Sequence, residues 1–393
     1  MKSSPRAPRP PRPFVWPPPT SETGRKVLPS MDFNLADEVR RQLEEALSKR
    51  GRVNIVIAGR SGVGKSTLVN AVFQGNLAET GQGRPVTQSA REYSKEGLPI
   101  TILDTRGLEM DQYLETTRQL EEEVRERSTD PDAKRHLHVA WVCISEDSRR
   151  VEQGESAVAQ MLARYMPVLG VITKARSDQG FREEVLRLLP MARNAMRVRA
   201  LREQDDEGHV LEPRGLQELV DVTMEVVPEA QRNAFAAAQK VSVAQKRTRA
   251  HAIVGSAATL AGAIGATPIP FSDALVIVPV QISMLASISA VFGLPLNQAF
   301  LTTLISSASG GLMATLSGQT IVSGLLKLVP GVGTVVGAAI SAATAVAVTT
   351  LFGEGFISVL SKLFLRNQGE PPTEEEVAQA FREELHGRSS PRP

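Results

Sequence analysis

The chain has 393 residues, enough for two or three domains with cores of their own. Forty-five Lys and Arg against 43 Asp and Glu leave a formal charge of +2, so nothing points to nucleic acid or another polyelectrolyte partner. A single cysteine, Cys143, excludes an internal disulfide and fits a reducing, cytoplasmic compartment.

Residues 1–30 hold nine prolines, eight of them by Pro19, interleaved with Arg6, Arg9 and Arg12, which predicts an extended, disordered tail with no secretory signal. Pro10 to Pro13 has the spacing of a groove ligand, but a solvated tail is the commoner meaning. Met31, where ordered-looking sequence begins, is an alternative translation start. Asp32 or Asn34 then caps an amphipathic helix with Leu35, Val39, Leu43 and Leu47 on one face and Gly51 at its end. It is expected to pack on the domain that follows.

Val53 to Ala58 is a short apolar run rich in β-branched residues, as in a buried parallel strand. Gly59-Arg60-Ser61-Gly62-Val63-Gly64-Lys65-Ser66 follows directly, and Thr67 onward has apolar residues at helical spacing. Strand, glycine-rich loop and helix form the context in which a phosphate loop is credible. Its backbone N–H groups turn around an anion at a helix N-terminus, Lys65 reaches the β- and γ-phosphates, and Ser66 ligates Mg²⁺. A mere strand-to-helix turn is the weaker reading.

Gly81 to Gln88 has turn chemistry and no apolar period, so it is a loop. The strand Ile100–Leu103 ends on Asp104-Thr105-Arg106-Gly107: an acid placed for Mg²⁺, and a glycine whose N–H suits a γ-phosphate. Further strands are expected at 138–145, 168–172 and 196–201, with helices at 112–127, 155–165, 181–194 and 215–226. This alternation predicts an α/β domain, a mostly parallel sheet with helices on both faces and the nucleotide at the strands' C-terminal edge. The five histidines lack metal-ligand spacing. Arg106, Arg149 and Arg150 are candidates for a hydrolysis-promoting arginine, although solvated surface positions are the commoner use.

With these motifs in place, residues 33–228 resemble a GTPase of the translation-factor-related class, on the Era-like side that includes immunity-related GTPases. Gly59–Ser66 looks like the first motif, Thr87 like the first-switch threonine, Asp104–Gly107 like the Asp-x-x-Gly motif, and Thr173-Lys174 like the start of the base-recognition motif. The resemblance implies GTP and GDP as ligands, with Mg²⁺ held through Ser66, Thr87 and Asp104. It makes Lys65, Thr87 and Gly107 the group that senses and stabilises the γ-phosphate, in loops that rearrange on hydrolysis. Three departures stand out. Arg176 occupies the place of the guanine-reading acid, with Asp178 as a substitute two residues on. Leu108 follows Gly107 where a water-orienting glutamine is found elsewhere, which implies slow hydrolysis or a group lent by a partner. Gly62 replaces the asparagine of potassium-activated relatives, so no potassium dependence is expected.

Glu229 to Arg249 reads as one polar helix leading out of the nucleotide domain. From Ala252 to Ser361 the only charges are Asp273, Lys327 and Glu354. Leu328–Gly353 is long enough to cross a hydrocarbon core, and Ala258, Gly262 and Ala266, then Gly333, Gly337, Ser341 and Ala345, form small-residue ridges. Pro268, Pro270, Pro279 and Gly310-Gly311 suggest short hairpins broken at Pro and Gly. A soluble Ala/Gly-rich bundle is the competing reading. Pro268–Asp273 and Val329–Thr334 resemble a helical domain of unknown function found behind Era-like GTPases and in bacterial inner-membrane proteins. Thr373-Glu374-Glu375-Glu376 predicts a capping box on a final amphipathic helix.

The expected organisation is a tail at 1–30, a GTPase domain at 31–228, an all-α apolar domain at 229–366, and a linker with a short helix at 367–393. The expected function is a slow Mg²⁺-dependent GTPase switch in the cytoplasm that controls a helical domain associated with or inserted in the inner membrane of a bacterium, with a second copy of the chain as a further partner. A binding scaffold without turnover and an ATPase are the alternatives, motivated by Leu108 and Arg176.

Overall fold

A computed structural model describes residues 35–80, 84–85, 90–105, 113–204, 207–266, 273–308 and 342–389. Its centre is β1 (Val53–Ala58), whose six residues are all buried. Parallel strands β4 (Ile100–Thr105) and β5 (Val139–Ser145) flank it, followed by β6 (Val168–Thr173) and β7 (Ala195–Arg197). On the other edge β3 (Ala90–Ser94) runs antiparallel to β4, and β2 (Arg84–Pro85) pairs with β3. The seven-stranded order is β2-β3-β4-β1-β5-β6-β7. A separate two-stranded ribbon joins β8 (Glu203–Gln204) to β9 (Val210–Leu211).

Both faces of the sheet are covered, as near-continuous apolar strands require. On one face lie α2 (Lys65–Val72), α3 (Leu77–Thr80), α7 (Leu216–Val226) and α8 (Glu229–Ala238), around Phe73, Trp141 and Phe235. On the other lie α4 (Tyr113–Ser128), α5 (Gln153–Leu162) and α6 (Phe181–Leu188), around Leu120, Val124, Val158 and Val185. The predicted helix over 181–194 stops at Leu188, ahead of Pro190, which removes a backbone donor. The predicted strand 196–201 is shorter than expected, because Arg199 instead bridges to Arg214.

Two expectations about packing are corrected. The first helix, α1 (Leu35–Arg50), ends at Gly51 with φ 71° as expected. It lies mainly against α10 (Asp273–Phe292) and α11 (Gln298–Ala308) rather than on the nucleotide domain, and Gln298 Nε2 donates to the Ala36 carbonyl at 3.2 Å. The segment 229–249 is two helices, α8 and α9 (Val243–Gly265). Gln239 breaks it: its side chain accepts from Ser242 N at 2.7 Å and donates to Ser242 O at 2.8 Å, while Ser242 caps α9. A side chain that satisfies its own turn competes with continuation of the helix.

α9 runs antiparallel to α12 (Ala342–Arg366): Gly262 faces Val346, Gly265 faces Ala342, and Gly353 faces Val254. A Cβ on Gly353 would sit 2.5 Å from Val254 Cγ2, so the pair depends on the missing side chain. α10 runs through Pro279 as one 20-residue helix, contrary to the expectation of a break there. α13 (Glu374–Ser389) has the predicted capping box, with Thr373 N donating to Glu376 Oε2 at 2.9 Å and Glu376 N to Thr373 Oγ1 at 3.3 Å. It docks through Phe381, 5.0 Å from the Phe356 ring.

Candidate functional site

β1 delivers the chain into a turn that needs three positive φ values, 147° at Gly59, 75° at Gly62 and 97° at Gly64. A Cβ at Gly59 would lie 2.4 Å from the Cys143 carbonyl oxygen, so the loop crosses β5 at a distance only glycine permits. Lys65, Ser66 and Thr67 form the first turn of α2, where unpaired N–H groups gather. The Lys65 ammonium folds back over the loop and donates to the carbonyls of Gly59 at 2.9 Å and Arg60 at 3.1 Å. Asp104, on β4 beside β1, holds Oδ1 3.9 Å from Lys65 Nζ. That oxygen is buried and accepts no hydrogen bond. Burial raises the Asp104 carboxyl to about 6, against the opposing pull of Lys65 and Arg91.

The loop is tied from behind by Thr173, whose hydroxyl donates to Val63 O at 2.6 Å and Ile144 O at 3.2 Å. Lys174 follows in the left-handed region at φ 53°, its ammonium 3.8 Å from Asp147. The structure thus brings Gly59–Thr67, Asp104, Thr173 and Lys174 to the C-terminal ends of β1, β4 and β6. Thr87, Arg106, Gly107 and Leu108 lie outside the described residues.

The loop after β6 is held by groups that no motif announced. Glu146 is 1% exposed. Its carboxylate accepts from the amides of Arg176 and Ser177 and, at 2.6 Å, from Arg197 Nε. Burial pushes this carboxyl up, but those donors outweigh it and hold it below the usual carboxylate range. Asp178 accepts from Arg182 N at 2.9 Å, at the start of α6, and lies 3.4 Å from Arg197 Nε. The Arg176 side chain pairs with Glu203 at 3.1 Å. Arg149 donates to the carbonyls of Ser177 and, at 2.7 Å, Asp178, so it braces this loop. Arg150 and Arg60 both pair with Glu152, at 2.7 and 3.2 Å. The sequence signal for Glu146 was an acid directly after an apolar strand, and among the described residues no cluster suits a separate metal ion.

Residues 54–174 match the family model described as 50S ribosome-binding GTPase, and residues 230–386 match a Domain of unknown function (DUF697). Among curated proteins, Cell division control protein 10 of Candida albicans is 39% identical over 85 residues, 18% of this chain and 24% of that protein. Magnetosome membrane protein 22 of Magnetospirillum gryphiswaldense is 29% identical over 90 residues, 23% of this chain and 46% of its own length. Ribosome biogenesis GTPase A of Bacillus licheniformis is 31% identical over 83 residues, 21% and 29% of the two chains. The matches thus span between a quarter and a half of these relatives. A solved structure of a probable GTP-binding protein engB superposes on 44% of this chain and 98% of its own, at 18% identity and a TM-score of 0.30.

Proposed function

Starting from a chain that joins a P-loop GTPase domain to a helical domain of unknown function, we propose that it is a slow Mg²⁺-dependent GTPase switch. The observation that carries this is the placement of Lys65 beside a buried carboxylate oxygen of Asp104 that accepts no hydrogen bond, at the mouth of the glycine loop. A buried anion without a hydrogen-bond donor is suited to a cation. Ser66 and Asp104 would hold Mg²⁺, together with Thr87, and bound Mg²⁺ supplies charge neutralisation at the phosphates. Gly59 to Thr67 would wrap the phosphates, with Lys65 exchanging its loop carbonyls for phosphate oxygens and Gly107 donating to the γ-phosphate. Thr173 keeps the loop in register with β6, and Lys174 and Asp178 would flank the base. Turnover is slow because Leu108 carries no group to orient water, and a second copy of the chain or another partner would lend one.

The second half of the proposal is that nucleotide state reaches the helical domain. In sequence we divide the chain at 228/229, with a tail at 1–30 and a linker and closing helix at 367–393; in space α1 packs with the helical part and α8 against the sheet. α2 begins at Lys65, and its C-terminal end grips the turn between α8 and α9: Lys240 N donates to Val72 O at 2.9 Å and Gln74 N to Ala238 O at 3.0 Å. A displacement of α2 therefore pulls on α9. The helical domain would act at the inner face of a bacterial membrane. Its near-uncharged composition and the similarity to a protein named as a magnetosome membrane protein support that location.

A specific observation favours a second reading of the base. Arg176 offers only donors and is turned to Glu203, while both Glu146 oxygens and Asp178 already accept bonds, so adenine and guanine could compete closely. Phosphate release from GTP and from ATP, with and without Mg²⁺, tests the proposal. It predicts release from GTP that needs Mg²⁺ and is lost in Lys65→Ala and Ser66→Ala. Binding without any release would leave a scaffold, and release from ATP alone would make the chain an ATPase.

A further inference from the structure

α12 is the one described helix long and apolar enough to cross a membrane. Its second half is committed elsewhere. Phe356, Leu360 and Phe364 are fully buried, with Phe356 against Phe381 of α13 and Phe364 against Phe292 of α10 at 5.4 Å. Crossing a bilayer would tear those contacts out of the body of the protein. Among the described residues of the pair, its first half and the second half of α9 are what remain open to lipid.

That half has a sharp lower boundary. His251 Nδ1 lies 2.8 Å from Glu354 Oε1, a polar pair across the two helices. Beyond it neither residues 252–265 of α9 nor residues 342–353 of α12 contain a charge. The uncharged length of α9 is about 21 Å at 1.5 Å per residue. Large apolar side chains are exposed along it: Leu260 at 53%, Val346 at 38% and Leu351 at 41%. The two exposed hydroxyls on this part of α9 are satisfied within the helix, Ser256 Oγ donating to Ala252 O at 3.0 Å and Thr259 Oγ1 to Gly255 O at 2.9 Å. Hydroxyls paired in this way add no unmet polar group to the surface, so it can enter hydrocarbon without leaving a donor unsatisfied. The glycine-mediated approach of the two helices fits the same medium. In sequence, the segments that join this end to the rest, 267–272 and 309–341, contain one charged residue, Lys327.

We infer that the uncharged end of the α9–α12 pair is the membrane-contacting surface, and that it enters one leaflet from the side without spanning. This rests on the membrane reading above and specifies its surface and depth. The occupant is the acyl region of a phospholipid bilayer beneath its headgroups.

The test is flotation of the full chain with vesicles of phosphatidylethanolamine and phosphatidylglycerol at 3:1, with Leu260→Glu/Leu351→Glu against a double control, Leu201→Glu/Val210→Glu. Leu201 and Val210 are 56% and 46% exposed apolar residues of the nucleotide domain, so their substitution changes charge equally without touching the inferred surface. The expected result is that wild type and control float, that the double variant loses about tenfold or more of its bound fraction, and that alkaline carbonate strips the wild type. Unchanged GTP binding and far-ultraviolet circular dichroism certify that the double variant is folded. A double variant that floats like wild type, or a wild type that resists carbonate, overturns the inference while leaving membrane association standing. A wild type that binds GTP and does not float overturns the membrane reading itself. A double variant that instead converts a dimer to a monomer by sedimentation, with no flotation of either, reassigns the surface to a second copy.

Discussion

Phe73, the residue that closes α2, forms an isolated antiparallel bridge with Gln239, the residue that separates α8 from α9. Its ring stacks on Trp141 of the central sheet at 5.7 Å and meets Phe235 of α8 edge-on at 6.2 Å. The helix that starts at the phosphate loop therefore ends inside the joint between the two parts of the chain. Glu370, after α12, completes the joint by accepting from Lys240 Nζ at 2.8 Å and from Gly75 N at 3.3 Å.

Lys246 is the buried pin of this joint. Its ammonium donates to the carbonyls of Ala236 at 2.6 Å, Ala237 at 3.1 Å and Phe292 at 3.0 Å, and lies 5.3 Å from the Phe364 ring centroid. These carbonyls end α8 and α10, where helix dipoles are negative and backbone acceptors lack helical partners. Lys246→Met keeps the bulk and removes the donors. It is expected to destabilise the fold by about 3 kcal/mol, read as a lower denaturant midpoint.

Gly59→Ala places a methyl 2.4 Å from a backbone oxygen that cannot retreat without disturbing β5. The loop must shift, and nucleotide affinity is expected to fall at least about tenfold with unchanged far-ultraviolet circular dichroism. Equilibrium binding of a fluorescent nucleotide measures it.

Arg176→Asp restores an acceptor at the third place after Thr173. If the wild type discriminates weakly between purines, the variant should raise its preference for GTP over ATP by about tenfold or more in a competition assay. An unchanged ratio would mean that another carboxylate reads the base.

The sheet, the phosphate loop and the Asp104 strand were legible because each is local. β-branched runs, a glycine pattern and a terminal acid fix them within a dozen residues. The packing of α1 was not legible, since an apolar stripe at Val39 and Ala46 states that a face is buried and not which face covers it. The break at 239–242 escaped for a related reason. Gln239 is an ordinary helix former until its side chain finds Ser242. Glu146 and Arg197 were invisible as a pair because they lie 51 residues apart and meet only when β5, β6 and β7 align.

His138 gives the fold a definite acid limb. Its Nδ1 accepts from Asn54 N at 2.9 Å, which requires an unprotonated nitrogen, and burial lowers its pKa from 6.5 to about 4. A group whose folded pKa is depressed binds its proton first in the unfolded chain. The stability that His138 contributes is thus complete above about pH 6.5 and is lost, by about 3 kcal/mol, on the way down to pH 4, while Asp104, raised to about 6, acts in the opposite sense over the same range. Urea titrations across that window should show His138→Leu taking up about one proton fewer on unfolding than the wild type.

Isothermal titration of the full chain with GTP in Mg²⁺ addresses the central claim, that the loop from Gly59 to Thr67 holds a purine triphosphate. A saturable heat at one site per chain is predicted, absent in Lys65→Ala and weakened by chelating the metal. No heat from either GTP or ATP, or an identical heat in Lys65→Ala, would contradict it.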